Sequence, residues 1–179
     1  MTALRQRVRG TAAVASAVIA AIALLVLGPT AYAGPASPGG VQVQIDAYLA
    51  AHPGGIQLNA TEISYAGGTF VVTFARAPGI LLGPDCPSGW FCFYDGLNYG
   101  YPRGKLSSCG WQDLGFYGWH DRTESVHYNL SFGSVVFINH GVGTSHSNDV
   151  RLFEIGINLR ARSDVAPYRN LADHVYRFC

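Results

Sequence analysis

The sequence predicts a mostly β protein, a compact antiparallel domain with Greek-key connections, preceded by a small helix plus β-hairpin unit. Three observations predict it. Short runs of alternating apolar and polar residues are punctuated by 22 glycines and 9 prolines, the pattern of short strands and tight turns. Those strands follow one another too closely for the helical crossovers that a parallel sheet requires. All four cysteines, Cys86, Cys92, Cys109 and Cys179, lie downstream of an apolar leader, and an even set in an exported chain reads as disulfides.

Residues 1–33 read as a secretory signal peptide. Arg5, Arg7 and Arg9 make a positive start, Gly10 to Leu27 an apolar stretch, and Ala31-Tyr32-Ala33 a small-x-small cleavage site. Cleavage after Ala33 and export to the extracellular space are expected, with no membrane attachment afterwards. The 179 residues are 49% hydrophobic and 13% charged, which excludes a disordered acidic tail, and the formal charge of +1 gives no electrostatic reason to expect nucleic acid. Losing the three leader arginines leaves nine basic against eleven acidic residues, a slightly acidic mature chain.

Residues 34–79 form the preface. After a Gly- and Pro-rich start, Val41 to His52 carries Val41, Ile45, Tyr48 and Leu49 at helical spacing and stops at Pro53-Gly54-Gly55. Thr61 to Ala66 and Thr69 to Ala75 flank Gly67-Gly68, a two-residue hairpin signal. Ile63 and Tyr65 face one way, with Phe70, Val72 and Phe74 alternating opposite them. A unit this small without cysteine is not stable alone. It is expected either to dock on the rest as an accessory layer or to act as a removable pro-segment. Ala77-Pro78-Gly79 and Gly83-Pro84 mark the boundary.

Residues 84–179 carry the cysteines and a dense aromatic stretch from Trp90 to Trp119 interleaved with glycines. Strand alternation turns about half of those rings inward, so a core is favoured over a sugar-stacking platform. Ser134 to Ile138 and Val150 to Leu159 read as strands joined by the polar loop Asn139 to Asp149, and Pro167 to Cys179 as a helical turn. Cysteine spacing allows three pairings. The preferred one joins Cys86 to Cys92 locally and leaves Cys109 to tether Cys179. A zinc reading of the cysteines would need a second closely spaced pair, which is absent.

The segment Cys86-Pro-Ser-Gly-Trp-Phe-Cys92-Phe-Tyr94-Asp95-Gly-Leu-Asn98-Tyr99-Gly100 resembles the opening of a βγ-crystallin-type Greek-key motif. Its continuation, Cys109-Gly-Trp-Gln-Asp-Leu-Gly115 and then His120-Asp121-Arg-Thr-Glu-Ser125, is similar to the secreted Streptomyces metalloproteinase inhibitor family. The resemblance covers residues 85–138 and implies a βγ-crystallin-like Greek-key β-sandwich. In such a corner Tyr94 and Tyr99 pack together and Ser125 ties the backbone by a hydrogen bond. It further implies inhibition of a secreted zinc metalloprotease, with the protease as partner and the inhibitor a monomer. Of the calcium signature of microbial crystallin-type proteins only Asp121 and Ser125 match, so calcium is a weak expectation and a structural turn the competing one.

No GxSxG elbow or HExxH helix is present, and Gly100 to Leu106 ends in Leu where a phosphate loop needs Ser or Thr. The chain is therefore expected not to be an enzyme and to need no cofactor. The six histidines are scattered and read as surface or turn residues. Inhibition would need a rigid surface loop. One candidate is Asn98 to Lys105, with Asn98, Tyr99, Tyr101, Arg103 and Lys105, the chain's only lysine, stiffened by Pro102. The other is Gly141 to Asp149, with Val142, Thr144 and His146. The alternative expectation is a non-inhibitory βγ-crystallin-like module that binds carbohydrate or the cell envelope.

Overall fold

The computed structural model describes residues 38–79, 83–141 and 146–179. The predicted leader lies outside these residues, as do Val142 and Thr144 of the second candidate loop. No helix among the described residues is long and apolar enough to cross a membrane.

Helix α1 spans Pro38–Ala51 and starts earlier than its apolar spacing predicts. Proline's fixed φ suits a first helical position, where its missing N–H costs nothing. Val41, Ile45 and Tyr48 are buried as their periodicity requires. The short strand β1 (Ile56–Gln57) pairs with β2 (Glu62–Tyr65), which pairs in turn with β3 (Phe70–Thr73). Ile63 lies opposite Val72 and Tyr65 opposite Phe70, so four apolar side chains share the core face. The turn takes Ala66 to Thr69 rather than Gly67-Gly68 alone.

The remaining strands are β4 (Trp90–Gly96), β5 (Gly100–Leu106), β6 (Gly110–Asp113), β7 (Ser125–Asn129), β8 (Ser134–Asn139), β9 (Val150–Gly156), β10 (Ala161–Arg162) and β11 (His174–Phe178). They make a β-sandwich of two antiparallel sheets, one of seven strands in the order β1-β2-β3-β5-β4-β7-β10 and one of four in the order β6-β11-β8-β9. The preface belongs to the larger sheet. β3 hydrogen-bonds to β5, with Phe70 opposite Leu106 and Thr73 opposite Arg103, and α1 buries its apolar face in the same core.

Two expectations are corrected. Residues near the C-terminus form the interior strand β11 and not a helical turn, because His-Val-Tyr-Arg-Phe puts Val175 into the core and Tyr176 and Phe178 on the outer face. The candidate loop from Asn98 to Lys105 is not a loop. Asn98 and Tyr99 occupy a tight turn, and Tyr101, Pro102, Arg103 and Lys105 lie within β5, where Arg103 and Lys105 are paired on both sides. Their charges are engaged internally. Arg103 is buried and donates to Thr73 Oγ1 (3.0 Å) and the Asp85 carbonyl (2.9 Å), and Lys105 meets Glu62 at 3.2 Å.

The turn itself has the predicted arrangement. Tyr94 and Tyr99 meet edge to face at 5.5 Å, while the Ser125 hydroxyl donates to the Gly96 carbonyl (2.6 Å) and accepts from the Tyr99 N–H (3.0 Å). Below it, Asp85 accepts from the hydroxyls of Tyr94 and Tyr101 and lies 3.3 and 3.4 Å from Arg103 and Arg76. Burial raises the Asp85 pKa, but these hydroxyls and guanidinium groups outweigh it and hold the carboxyl below the usual carboxylate range.

Disulfides join Cys86 to Cys92 and Cys109 to Cys179, across sequence separations of 6 and 70. Chain entropy makes the longer link worth about 4 kcal/mol and the shorter about 2 kcal/mol. Replacing Cys109 and Cys179 together by Ser is therefore expected to lower stability about twice as much as replacing Cys86 and Cys92, measured by urea unfolding. Asp85→Asn is expected to cost about 3 kcal/mol at neutral pH by leaving Arg103 buried without its anion. A depressed folded-state pKa stabilises above the unfolded value of about 3.9 and is lost as pH falls through the folded value. The variant should accordingly lose less stability than the parent between pH 7 and pH 3, compared by denaturation at both.

Candidate functional site

The register of the four-stranded sheet builds the site. On the outer face of β11, His174 lies opposite Asp113 of β6 and Ile138 of β8, and Tyr176 lies opposite Trp111 and Val136. Two residues beyond Ile138, the chain leaves β8 as His140 and returns to β9 through His146 and Asp149. His120 arrives from the loop after the short helical turn Leu114–Tyr117. Four of the six histidines therefore meet at one end of this sheet, which corrects the expectation that they are scattered; His120, His140 and His146 lie in turns or loops as expected, and His174 is a buried strand residue instead.

His174 is the centre of the group. It stands on the solvent side of its strand, yet it is only 4% exposed because other side chains roof it. Its ring centre is 5.0 Å from that of His140, 5.6 Å from His146, 5.7 Å from His120 and 4.8 Å from Trp111. Neither ring nitrogen has a hydrogen-bond partner among the described residues, and Asp113 Oδ1 stands off at 3.7 Å. Burial lowers its pKa below the ordinary histidine value, against the opposing pull of Asp113 and Asp149.

Asp149 is the other anchor. Its side chain is 7% exposed, with Oδ1 2.8 Å from His140 Nδ1 and Oδ2 3.1 Å from His146 Nδ1. Oδ1 also accepts the Gly141 N–H at 3.2 Å, while the Asp149 N–H donates to the His146 carbonyl. Burial raises the carboxyl pKa, and these donors bring it below the carboxylate norm. The His140 N–H is held by Asp173 Oδ2 at 2.8 Å. The two ends of the connection are pressed together, since a Cβ on Gly141 would sit 2.4 Å from the Asn148 carbonyl oxygen, an approach only glycine permits.

Beside the cluster, a shallow cavity of about 260 Å³ runs along the outer face, walled by Trp111, Val136, Ile138, Arg151, Tyr176 and Phe178 and reaching Asp149. On the other side of His174, Asp113 accepts from the Gly115 N–H and holds His120 Nε2, both at 2.7 Å.

The other predicted residues lie elsewhere. Ser125 is fully buried and its hydroxyl is committed to the tyrosine corner. Asp121 sits at positive φ in a turn, its N–H on the Ala172 carbonyl, with a pKa raised by burial and by Asp173 against the pull of His120. Of the second candidate loop, His146 joins the cluster. No family model, curated protein or solved structure matches the chain.

Asp149→Ala is expected to release both ends of the connection while leaving the sheets intact. Limited proteolysis should then cut between residues 140 and 150 faster than in the parent, with the unfolding midpoint lowered by no more than about 2 kcal/mol in equivalent stability.

Proposed function

We propose that the protein is an exported inhibitor of a secreted protease, of the zinc metalloprotease class that the sequence resemblance implies, and that it acts by binding and not by catalysis. The contact segment is the Gly141 to Asp149 connection between β8 and β9. The observation that carries this reading is the clamp at the base of the segment, where one nearly buried carboxylate, Asp149, holds His140, Gly141 and His146 together. A substrate-like segment resists turnover when little ordering entropy is lost on binding and its ends stay together. Two disulfides and a continuous aromatic core brace the platform beneath it. The Tyr94, Tyr99 and Ser125 corner supports the βγ-crystallin-type Greek-key assignment.

The aromatic cavity beside the clamp favours a second reading, a non-inhibitory extracellular module that stacks an oligosaccharide on Trp111 and Tyr176. One pair of assays separates the two. The inhibitor reading expects micromolar or tighter inhibition of a thermolysin-like protease, weakened in Asp149→Ala, which should become a substrate. Absence of inhibition against metallo, serine and cysteine proteases, together with glycan retention lost in Trp111→Ala, would establish the module instead.

A further inference from the structure

Three side chains of the clamp, with His174 beside them, share a geometry that goes beyond holding the connection together. One donor atom each from His140, His146, His174 and Asp149 lies within 4.8 Å of the other three. We propose that these residues bind one divalent transition-metal ion of the zinc class.

The rings are arranged as ligands of one ion would be. With metal–nitrogen bonds of roughly 2.0 Å at tetrahedral angles, imidazole centres on a shared ion fall roughly 5 Å apart. The three ring centres here are 5.0, 5.6 and 5.8 Å apart, with planes inclined at 88°, 88° and 65°. Co-ligand atoms on such an ion stand roughly 3.3 Å from one another. The Asp149 oxygens already lie 2.8 and 3.1 Å from the Nδ1 atoms of His140 and His146, close to that spacing.

His174 supplies the independent reason. A buried polar group without a partner is disfavoured, and this ring has two such nitrogens. A metal ion gives one of them a bond that no described protein group provides. Trp111, with its ring centre 4.3 Å from that of His146 and 4.8 Å from that of His174, supplies an apolar wall that limits water access.

Three nitrogens and one oxygen select the ion. Calcium and magnesium take oxygen-rich shells, whereas imidazole with a single carboxylate suits zinc and its neighbours. A second grouping, Asp113, His120 and His174, competes for the same buried ring. It offers three donors where the first offers four. The four-donor set is the better cage.

The test is calorimetric titration of the tag-free, chelator-stripped protein with Zn²⁺, alongside Ca²⁺ and Mg²⁺, and with Co²⁺ read by visible absorption. One zinc ion per chain and a tetrahedral cobalt spectrum are expected. His146→Ala removes a ligand whose side chain is 57% exposed, so the fold is retained. It should weaken zinc at least about tenfold, the loss caused even by removing an outer partner of a metal ligand. His120→Asn should leave zinc affinity unchanged. The proposal is overturned by no zinc binding in the micromolar range, by calcium binding as tightly as zinc, by an unaltered affinity in His146→Ala, or by a loss in His120→Asn instead. None of these readouts depends on protease inhibition, so either reading can fail without the other.

Discussion

The Phe93 ring occupies the space above Gly104 of β5, where a side chain would block it. A Cβ at Gly104 would stand 2.4 Å from that ring, so the absence of one lets the phenyl group lie flat over its neighbouring strand. From there it meets Phe70 of the preface at 6.0 Å, Trp119 at 5.2 Å, and Phe137 of the opposite sheet at 6.1 Å. A single side chain thereby joins the N-terminal hairpin, the larger sheet and the smaller sheet. Most of the buried rings pack outward from it, including Tyr117, stacked on Phe70 at 4.2 Å, and Phe153, stacked on Phe137 at 4.7 Å.

That contact explains why residues 38–73 share a core with the cysteine-rich region. Phe70 and Val72 fill the surface beside β5, and α1 closes it with Tyr48, whose ring meets Phe74 edge to face and whose hydroxyl donates to the Tyr117 carbonyl. Burial pushes this phenol well above the ordinary tyrosine range, so it remains a hydrogen-bond donor at any physiological pH. The charged groups on the opposite face of the same strands add a second link. Arg103 and Lys105, on β5, reach across to Thr73 and Glu62 of the hairpin, and this binds the preface to the sheet by polar contacts as well as by burial.

The smaller sheet is built differently. β11 runs between β6 and β8, so its inward residue Val175 is fixed by the core while His174 and Tyr176 are fixed on the outer face. The strand's end is covalently tied through Cys179 to Cys109, just before β6. A rigid strand thus presents His174 to a connection whose ends are gathered by Asp149. Recognition of a protease and coordination of a metal would both draw on this one preorganised corner.

Much of the architecture was legible in the sequence because it is dictated by local rules. The spacing of Val41, Ile45 and Tyr48 determined the helix, alternation determined the strands from Glu62 to Thr73 and from Ser134 onward, and close spacing pointed to the Cys86 to Cys92 link. Local rules failed where partners come from far along the chain. A stretch with glycine, proline and two cations reads as a turn, yet Gly100–Leu106 is an interior strand because β3 and β4 supply hydrogen bonds on both sides. The histidine cluster left only a weak trace, His140 and His146 six apart with Asp149 three further on. The fourth member, His174, is brought in by β11 pairing with β8, Ile138 lying opposite it. Sequence by itself determined which segments could be strands and helix, because side-chain periodicity and turn chemistry act over a few residues. Only the tertiary structure decided which polar groups meet, because sheet register couples residues tens of positions apart and nothing local records it.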